Sequence, residues 1–295
     1  MSSYAQDVKN ELARIFGDET ETLQAEFAAL LFCGTKIFDG RLEFTTTNAA
    51  VARKVISLAK KFFPAVKPEV AAVRRKKLNK DLIYAVRIFL TGEVQNFLEQ
   101  LDAPELLKRS RFKVAWLRGA FLAKGTVNRP EAQYLLQIVS RSIKTAELVR
   151  KILAALDFNA GLYQRQKNFI VWLREADAIC DFLGMIGATN ALERFEVARN
   201  LKEVRLQVNR QVNMDTSALN RAAAASERQL ADIKILMARN YPVTKKIREA
   251  MELRLANPSC TIGELAEKIS LSKAGMWSRF KKIQHLAKKL QLRRF

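Results

Sequence analysis

Two segments of the chain share one pattern of small and apolar residues that closes on a glycine: AEFAALLFCGTKI (25–37) and AWLRGAFLAKGTV (115–127). Two side chains in this pattern could take part in chemistry, and each directly precedes a glycine. They are Cys33 and Lys124. A thiol and an ammonium are unsuited to Mg²⁺, which takes oxygen ligands. The sequence therefore predicts that neither position holds a catalytic metal.

The paired segments resemble the two-helix motif of the LAGLIDADG homing endonucleases. In that family the residue before the closing glycine is an acid that binds a divalent metal, so Cys33 and Lys124 occupy degenerate metal positions. The resemblance implies two motif helices packed at a pseudo-dyad, and it implies DNA binding without cleavage. Small residues would permit the close approach of the helices: Ala28, Ala29, Gly119 and Ala123.

Other residue types offer little for catalysis. The single histidine, His285, lies in a basic C-terminal segment, and general acid–base chemistry has no carboxylate cluster at useful spacing. The three cysteines are scattered without a CxxC pair, which argues against a zinc site or a disulfide framework. We therefore expect no enzyme activity, no metal, no cofactor and no small-molecule substrate.

The charge of the chain points to a polyanionic partner. Its 51 Lys and Arg against 30 Asp and Glu give a net charge of +21, and such an excess favours binding to nucleic acid. A charge that serves only solubility is the alternative. No apolar run approaches the about 18 residues of a membrane span, and the N-terminus lacks a signal-peptide core. We expect a cytoplasmic, nucleoid-associated protein whose partner is double-stranded DNA.

Periodicity predicts alternating helices and strands over residues 1–188, in two similar halves at about 20–102 and 110–188. The LAGLIDADG resemblance implies an α+β domain in which each half is an αββαββα unit. The first unit, after a helix at 4–15, is expected to contain the motif helix to Cys33, strands at 42–46, 70–75 and 82–89, and helices at 49–63, capped by Asn48, and 93–101. The second is expected to contain strands at 134–139, 160–165 and 169–173 and helices at 144–156 and 176–183.

Residues 189–240 predict a helical linker, with Asn213 and Asp215 at a turn between two helices. Residues 241–295 predict an all-α domain that holds 13 Lys and Arg against 4 Asp and Glu. Its expected helices are 244–256, 262–269 and one from Ser272 onward. Thr261 and Glu264 have the spacing of a capping box at the start of the second.

This domain resembles a helix-turn-helix, most closely the promoter-reading domain of sigma factors. Ser270 stands in the turn where many such motifs have glycine. The resemblance implies that an outward face reads base edges: Ser272, Lys273, Gly275, Trp277, Ser278 and Arg279. It implies phosphate contacts for five cations: Arg279, Lys281, Lys282, Lys288 and Lys289. A small helical bundle with a solvated basic face is the alternative.

Two further basic clusters lie in the N-terminal domain. The first, at residues 74–80, supplies candidate DNA contacts: Arg74, Arg75, Lys76, Lys77 and Lys80. The second spans residues 108–113. Either cluster could equally bind a regulatory protein.

Over nearly its whole length the chain resembles the WhiA family of bacterial sporulation and cell-division regulators. The strings that carry the resemblance are VKNELARI (8–15), AEFAALL (25–31), TTNAAVARK (46–54), LRGAFLAKGTV (117–127), IGATNALERFE (186–196), VNRQVNMDTSALNRAAAASERQ (208–229) and LSKAGMWSRFKKI (271–283). The resemblance implies a transcriptional regulator of cell division and chromosome segregation.

The chain departs from the family's usual residues at Met214 and at Trp277–Ser278, and the second change implies an altered DNA target. A protein-interaction scaffold with mostly non-specific DNA affinity is the alternative function. A metal-dependent endonuclease is disfavoured by Cys33 and Lys124.

Overall fold

The computed structural model describes residues 3–17, 19–74, 82–100 and 108–292. The chain divides into two compact units, Met1–Lys202 and Glu203–Phe295. The first unit contains two four-stranded sheets and their helices, and the described part of the second unit is helical. The predicted fold class is confirmed.

The first unit begins with α1 (Tyr4–Leu12) and then forms the first αββαββα half. Its elements are α2 (Thr20–Gly34), β1 (Thr35–Phe38), β2 (Arg41–Thr46), α3 (Ala49–Phe62), β3 (Glu69–Arg74), β4 (Leu82–Phe89) and α4 (Gly92–Gln100). The strands form an antiparallel sheet in the order β1-β2-β4-β3. Helix α3 begins where predicted, because the Asn48 side chain accepts a hydrogen bond from the Val51 N–H at 3.0 Å.

The second half repeats this order. Its elements are α5 (Ser110–Lys124), β5 (Gly125–Val127), β6 (Leu136–Ser140), α6 (Ile143–Ala154), β7 (Gly161–Arg165), β8 (Asn168–Leu173) and α7 (Ala176–Ile186). The sheet order is β5-β6-β8-β7, which matches the first sheet position by position. Strands β1 and β5 were not predicted. They are four and three residues long, too short for an alternating pattern, and they form by pairing with β2 and β6.

The motif helices α2 and α5 pack directly against each other, as their small residues predicted. A Cβ added at Gly119 would lie 2.2 Å from the Glu26 carbonyl oxygen and 2.9 Å from the Ala29 Cβ. Near the other end of the pair, a Cβ at Gly34 would lie 3.3 Å from the Ala123 Cβ. Any larger residue at Gly119 would force the two helices apart.

The predicted break near Asn213 and Asp215 is wrong. A single helix, α8, runs from Thr189 to Ala238. Alanine-rich composition favours an unbroken helix here, and Gln211 donates a hydrogen bond to Asp215 at 2.9 Å, which is a stabilising i,i+4 contact. The N-terminal turns of α8 bury Phe195 in the core of the first unit, while Ile233 and Leu236 belong to the core of the second.

The second unit continues with α9 (Lys245–Ala256), α10 (Ile262–Glu267) and α11 (Lys273–Leu292). The predicted capping box opens α10. The Glu264 N–H donates to the Thr261 hydroxyl at 3.3 Å, and the Glu264 carboxylate accepts from the Thr261 N–H at 2.6 Å. These two bonds fix the start of the helix that supports α11.

Candidate nucleic-acid interface

A tight turn joins α10 to α11 and sets the angle between them. Ser270 has φ +48°, in the left-handed region, and the Leu271 N–H donates to the Ala266 carbonyl at 2.8 Å. Ala266 is buried, so the two helices approach closely at this position. The turn therefore has helix-turn-helix geometry with serine in the place that favours glycine.

Apolar residues of α11 hold it in place. Met276, Phe280 and Ile283 are buried in one cluster with Leu265 and Ala266 of α10. Their spacing puts them on a single face of the helix. The opposite face of α11 is thereby turned to solvent in a fixed orientation.

Arg254 stabilises the loop before α10, a role that the sequence analysis missed. Its side chain is buried, and its Nε donates to Gln229 at 3.0 Å. Its terminal nitrogen donates to the carbonyls of three loop residues: Asn257, Pro258 and Cys260. The guanidinium also lies over the Phe280 ring, 5.3 Å from its centroid. One sequence feature could have indicated this role: Arg254 lies seven residues after Ile247, which places a charged side chain on the apolar face of α9.

The exposed N-terminal turns of α11 contain four of the predicted base-reading residues: Ser272, Lys273, Trp277 and Ser278. Ser272 caps the helix, because its hydroxyl oxygen accepts from the Gly275 N–H at 3.1 Å. Its own O–H group can still donate to a ligand. Trp277 is 54% exposed, which is unusual for so large an apolar side chain.

Two predicted residues are placed differently from expectation. Gly275 is half-buried, and a Cβ there would lie 3.1 Å from the Leu271 Cγ, so this glycine permits the turn to pack. The Arg279 side chain is only 16% exposed and is turned toward α9. Its guanidinium pairs with Glu249 at 2.7 Å and donates to the Lys246 carbonyl at 3.3 Å. In this structure Arg279 ties α11 to α9.

The remaining predicted phosphate contacts form an exposed cationic surface along α11: Lys281, Lys282, Lys288 and Lys289. The Lys281 ammonium lies 5.0 Å from the centroid of the Trp277 ring. Helix α11 contains six Lys and Arg residues and no Asp or Glu. The solvent face of α11 is therefore positively charged.

The degenerate metal positions lie at the C-terminal ends of the motif helices. Burial raises the pKa of the Cys33 thiol to about 12, so the thiol is neutral at neutral pH. Burial lowers the pKa of Lys124, and the charges of Arg141 and Lys36 lower it further. Among the described residues, no group of three or more histidine, cysteine or acidic side chains comes together in a way that could hold a metal.

The basic cluster at 74–80 lies largely outside the described residues. Arg74 ends β3, whereas Arg75, Lys76, Lys77 and Lys80 are not described. In the cluster at 108–113, Arg111 pairs with Glu19 at 2.6 Å, and Arg109 and Arg111 both lie over the Phe112 ring. One charge of this second cluster is thus already compensated.

The outer face of the first sheet has alternating charge. One row across its four strands contains Lys36, Glu43, Arg87 and Glu69. Glu43 pairs with Arg87 at 2.9 Å, and Glu69 pairs with Arg41 at 3.4 Å. Phe38 is 77% exposed on the same face. This surface is nearly neutral and partly apolar.

Three family profiles match the chain in succession: WhiA N-terminal LAGLIDADG-like domain (residues 20–102), WhiA LAGLIDADG-like domain (113–205) and WhiA C-terminal HTH domain (208–287). A probable cell division protein WhiA from Staphylococcus epidermidis is 35% identical over 98% of both chains. The chain belongs to the WhiA family. A WhiA relative from Lactobacillus helveticus is also 35% identical, over 99% of this chain and all of the other.

Solved WhiA structures share the fold. A crystal structure described as "full-length DUF199/WhiA from Thermatoga maritima" has a TM-score of 0.62 at 22% identity and covers 98% of this chain and 99% of that one. A structure of the N-terminal LAGLIDADG domain of DUF199/WhiA has a TM-score of 0.54 at 21% identity, over 63% of this chain and 94% of that one. This member of the WhiA family therefore combines a degenerate LAGLIDADG-like domain with a C-terminal helix-turn-helix. No helix in the described part of the chain is long and apolar enough to cross a membrane.

Proposed function

We propose that this WhiA-family member is a transcriptional regulator of cell division and chromosome segregation that reads duplex DNA through the N-terminal turns of α11. The observation that supports this most strongly is the solvent face of α11. It is cationic and free of acids, and its buried face is locked onto α10. A helix held rigidly in this way can enter the major groove, where base edges are distinguishable.

Within this helix the residues take two roles. The base-reading positions are Ser272, Lys273, Trp277 and Ser278. The phosphate-binding positions are Lys281, Lys282, Lys288 and Lys289, which fix the orientation of the helix without reading sequence. Arg279 can contact DNA only if it breaks its ion pair with Glu249. We therefore propose that its DNA contact forms on binding.

The N-terminal domain serves in this proposal as a scaffold without enzyme activity. Cys33 and Lys124 stand where the related nucleases use acids, and neither side chain suits a hard metal ion. We divide the chain into a LAGLIDADG-like domain at 1–188, a linker at 189–240 and a DNA reader at 241–295. The net charge of +21 supports nucleoid association and supplementary contacts from the 74–80 cluster.

A second candidate function is protein docking in cell-cycle control, with mainly non-specific DNA affinity. The first sheet favours it, since its outer face is nearly charge-balanced and exposes Phe38. DNA-binding surfaces are much more positive than this one. A regulatory protein partner fits that face better than DNA does.

Selection from random duplexes at physiological salt separates the two candidates. The full chain should enrich a defined motif. Trp277→Ala and Lys273→Ala should lose or change that motif, whereas Lys245→Ala, which removes one exposed charge from α9, should retain it. Failure of the unsubstituted chain to enrich any motif would reject the reader assignment and favour the docking function.

A further inference from the structure

The ends of the two motif helices gather positive charge at one place. Lys124 is the last residue of α5. The end of α2 lies beside it, as the 3.3 Å approach of a Cβ at Gly34 to the Ala123 Cβ shows. Lys36 follows Gly34 by two residues on β1, and its charge acts on Lys124. Lys36 and Lys124, one from each half of the domain, therefore lie close enough to interact electrostatically.

Two further cations complete the cluster. Arg141 directly follows β6, the strand that pairs with β5 immediately after Lys124. Lys9 lies on α1, which packs against both α5 and β5. Electrostatic coupling connects both residues to Lys124. Lys124 thus has three cationic neighbours, each from a different element.

Within the described residues, these four side chains have neither an ion pair nor a hydrogen bond. The cross-strand neighbour of Lys36 is Glu43, but that carboxylate is paired with Arg87. The Cys33 thiol is neutral and adds no negative charge. As far as the described residues show, the cluster is therefore a group of like charges without a counter-ion.

The pKa values of two members of the cluster, Lys9 and Lys124, are lowered. Burial, followed by the charge of Lys124, lowers the pKa of Lys9 to about 8. Burial lowers the pKa of Lys124 too, with the charges of Arg141 and Lys36 adding to the effect. An anion placed among these groups would reverse the repulsion and favour their charged forms.

We propose that this cluster, formed by Lys9, Lys36, Lys124 and Arg141, is a binding site for a phosphate group. Lysine and arginine together suit a multiply charged oxyanion, since ammonium groups act as point charges and a guanidinium donates in parallel. The site binds its anion directly, with Lys124 in one of the two positions where the related nucleases place an acid. It lies in the first unit and does not depend on DNA reading by α11.

Inorganic pyrophosphate is the probe for the site, and the full chain is the protein to use. The double variant Lys36→Gln/Lys124→Gln should weaken pyrophosphate binding at least tenfold in calorimetry. The matched control Lys60→Gln/Lys61→Gln removes two exposed charges from the last turn of α3 and should change it less than twofold. Equal weakening in both double variants, or no saturable binding by the unsubstituted chain, would overturn the proposal.

Folding of the variants is tested in the same samples. Removal of a cation from a like-charge cluster should maintain or raise the thermal midpoint of the free protein, and pyrophosphate should raise it further only where the site is intact. If the double variant has a lower thermal midpoint than the unsubstituted chain, the single variant Arg141→Gln replaces it in the binding test, because this residue lies at the edge of the cluster. An Arg141→Gln protein that is folded and binds pyrophosphate with unchanged affinity would contradict the site.

Two sources of phosphate can be distinguished by the side-chain resonance of Lys124, labelled at Cε. A shift with a random-sequence duplex as well as with pyrophosphate identifies the DNA backbone as the occupant. A shift with pyrophosphate alone identifies a free phosphate compound. Absence of a shift with either probe rejects the site, whatever the outcome of motif selection through α11.

Discussion

The Glu26 carboxylate lies 2.5 Å from the Lys54 ammonium, and both side chains are fully buried. Glu26 also accepts from Arg118 at 3.1 Å, and Lys54 donates to the carbonyls of Leu12 and Ile15. The pair thus joins motif helix α2 to α3, to α5 and to the segment after α1. A buried charge is tolerated only with such partners.

Lys54→Met should therefore destabilise the first unit strongly. The substitution leaves the buried Glu26 charge with Arg118 alone, and loss of one partner in a buried pair costs about 3–5 kcal/mol. Urea unfolding measures the change when it is followed by tryptophan fluorescence in a Trp277→Phe background, where only Trp116 and Trp172 of the first unit report. Lys60→Met, on the exposed face of the same helix, should stay within about 0.5 kcal/mol of the unsubstituted chain. If the two substitutions cost the same, the ion pair has no structural role.

Stability should rise with pH between about 8 and the ordinary lysine range because of Lys9. Its folded-state pKa is about 8, lowered from 10.5 by burial and by the charge of Lys124. Between these values the unfolded chain binds a proton that the folded chain has released, so alkaline pH favours folding. The charged groups of this cluster besides Lys9 are Lys36, Lys124 and Arg141, and the Cys33 thiol is the other titratable group.

The contribution of Lys9 to the pH dependence is tested by measuring the free energy of unfolding at pH 7 and pH 10, for the unsubstituted chain and for Lys9→Met. The variant should lose the part of the pH dependence that Lys9 provides. It should also be the more stable protein at pH 7, where Lys9 is charged in the unsubstituted chain. Identical pH profiles for the two proteins would show that Lys9 ionises as an ordinary surface lysine.

Ser270→Gly should stabilise the second unit by up to about 1.5 kcal/mol. A left-handed conformation costs a non-glycine residue about 1–2 kcal/mol, and the extra flexibility of glycine in the unfolded chain offsets about 0.5–1 kcal/mol of the gain. The change in stability is measured by thermal unfolding. Ser278→Gly is the control, because it places glycine inside α11, where it should be destabilising. A loss of stability with Ser270→Gly would contradict the strained turn.

Local features of the fold could be predicted from the sequence, and non-local ones could not. The Asn48 cap and the Thr261–Glu264 capping box depend on residues three apart, so their spacing was sufficient. Strands β1 and β5 form only through partners elsewhere in the chain, and no local pattern marks them.

The same division applies to the candidate site. The exposed residues of α11 follow from helical periodicity once the apolar face is known. The attachment of Arg279 to α9 and the loop-holding role of Arg254 depend on packing between helices. The sequence does not predict the continuous α8, because asparagine and aspartate ordinarily favour turns. The surrounding helix-forming residues override that preference.

Arg279 and Glu249 provide a test of how α11 engages DNA. If Arg279 contacts a base edge in the complex, Arg279→Ala should weaken binding by about 1–3 kcal/mol. Glu249→Gln should strengthen binding, because it releases the guanidinium and removes a negative charge. Fluorescence anisotropy with one duplex measures both. If Glu249→Gln weakens binding as Arg279→Ala does, the pair acts only to position α11 on α9.

The second unit is proposed to read DNA sequence through α11. The most direct test is the ratio of affinities for a selected duplex and for a scrambled duplex of the same composition, measured at physiological salt. A sequence reader should favour the selected duplex by about 10³ or more. A ratio near one, with affinity for both duplexes falling steeply as salt is raised, would show that the positive charge binds DNA without reading it.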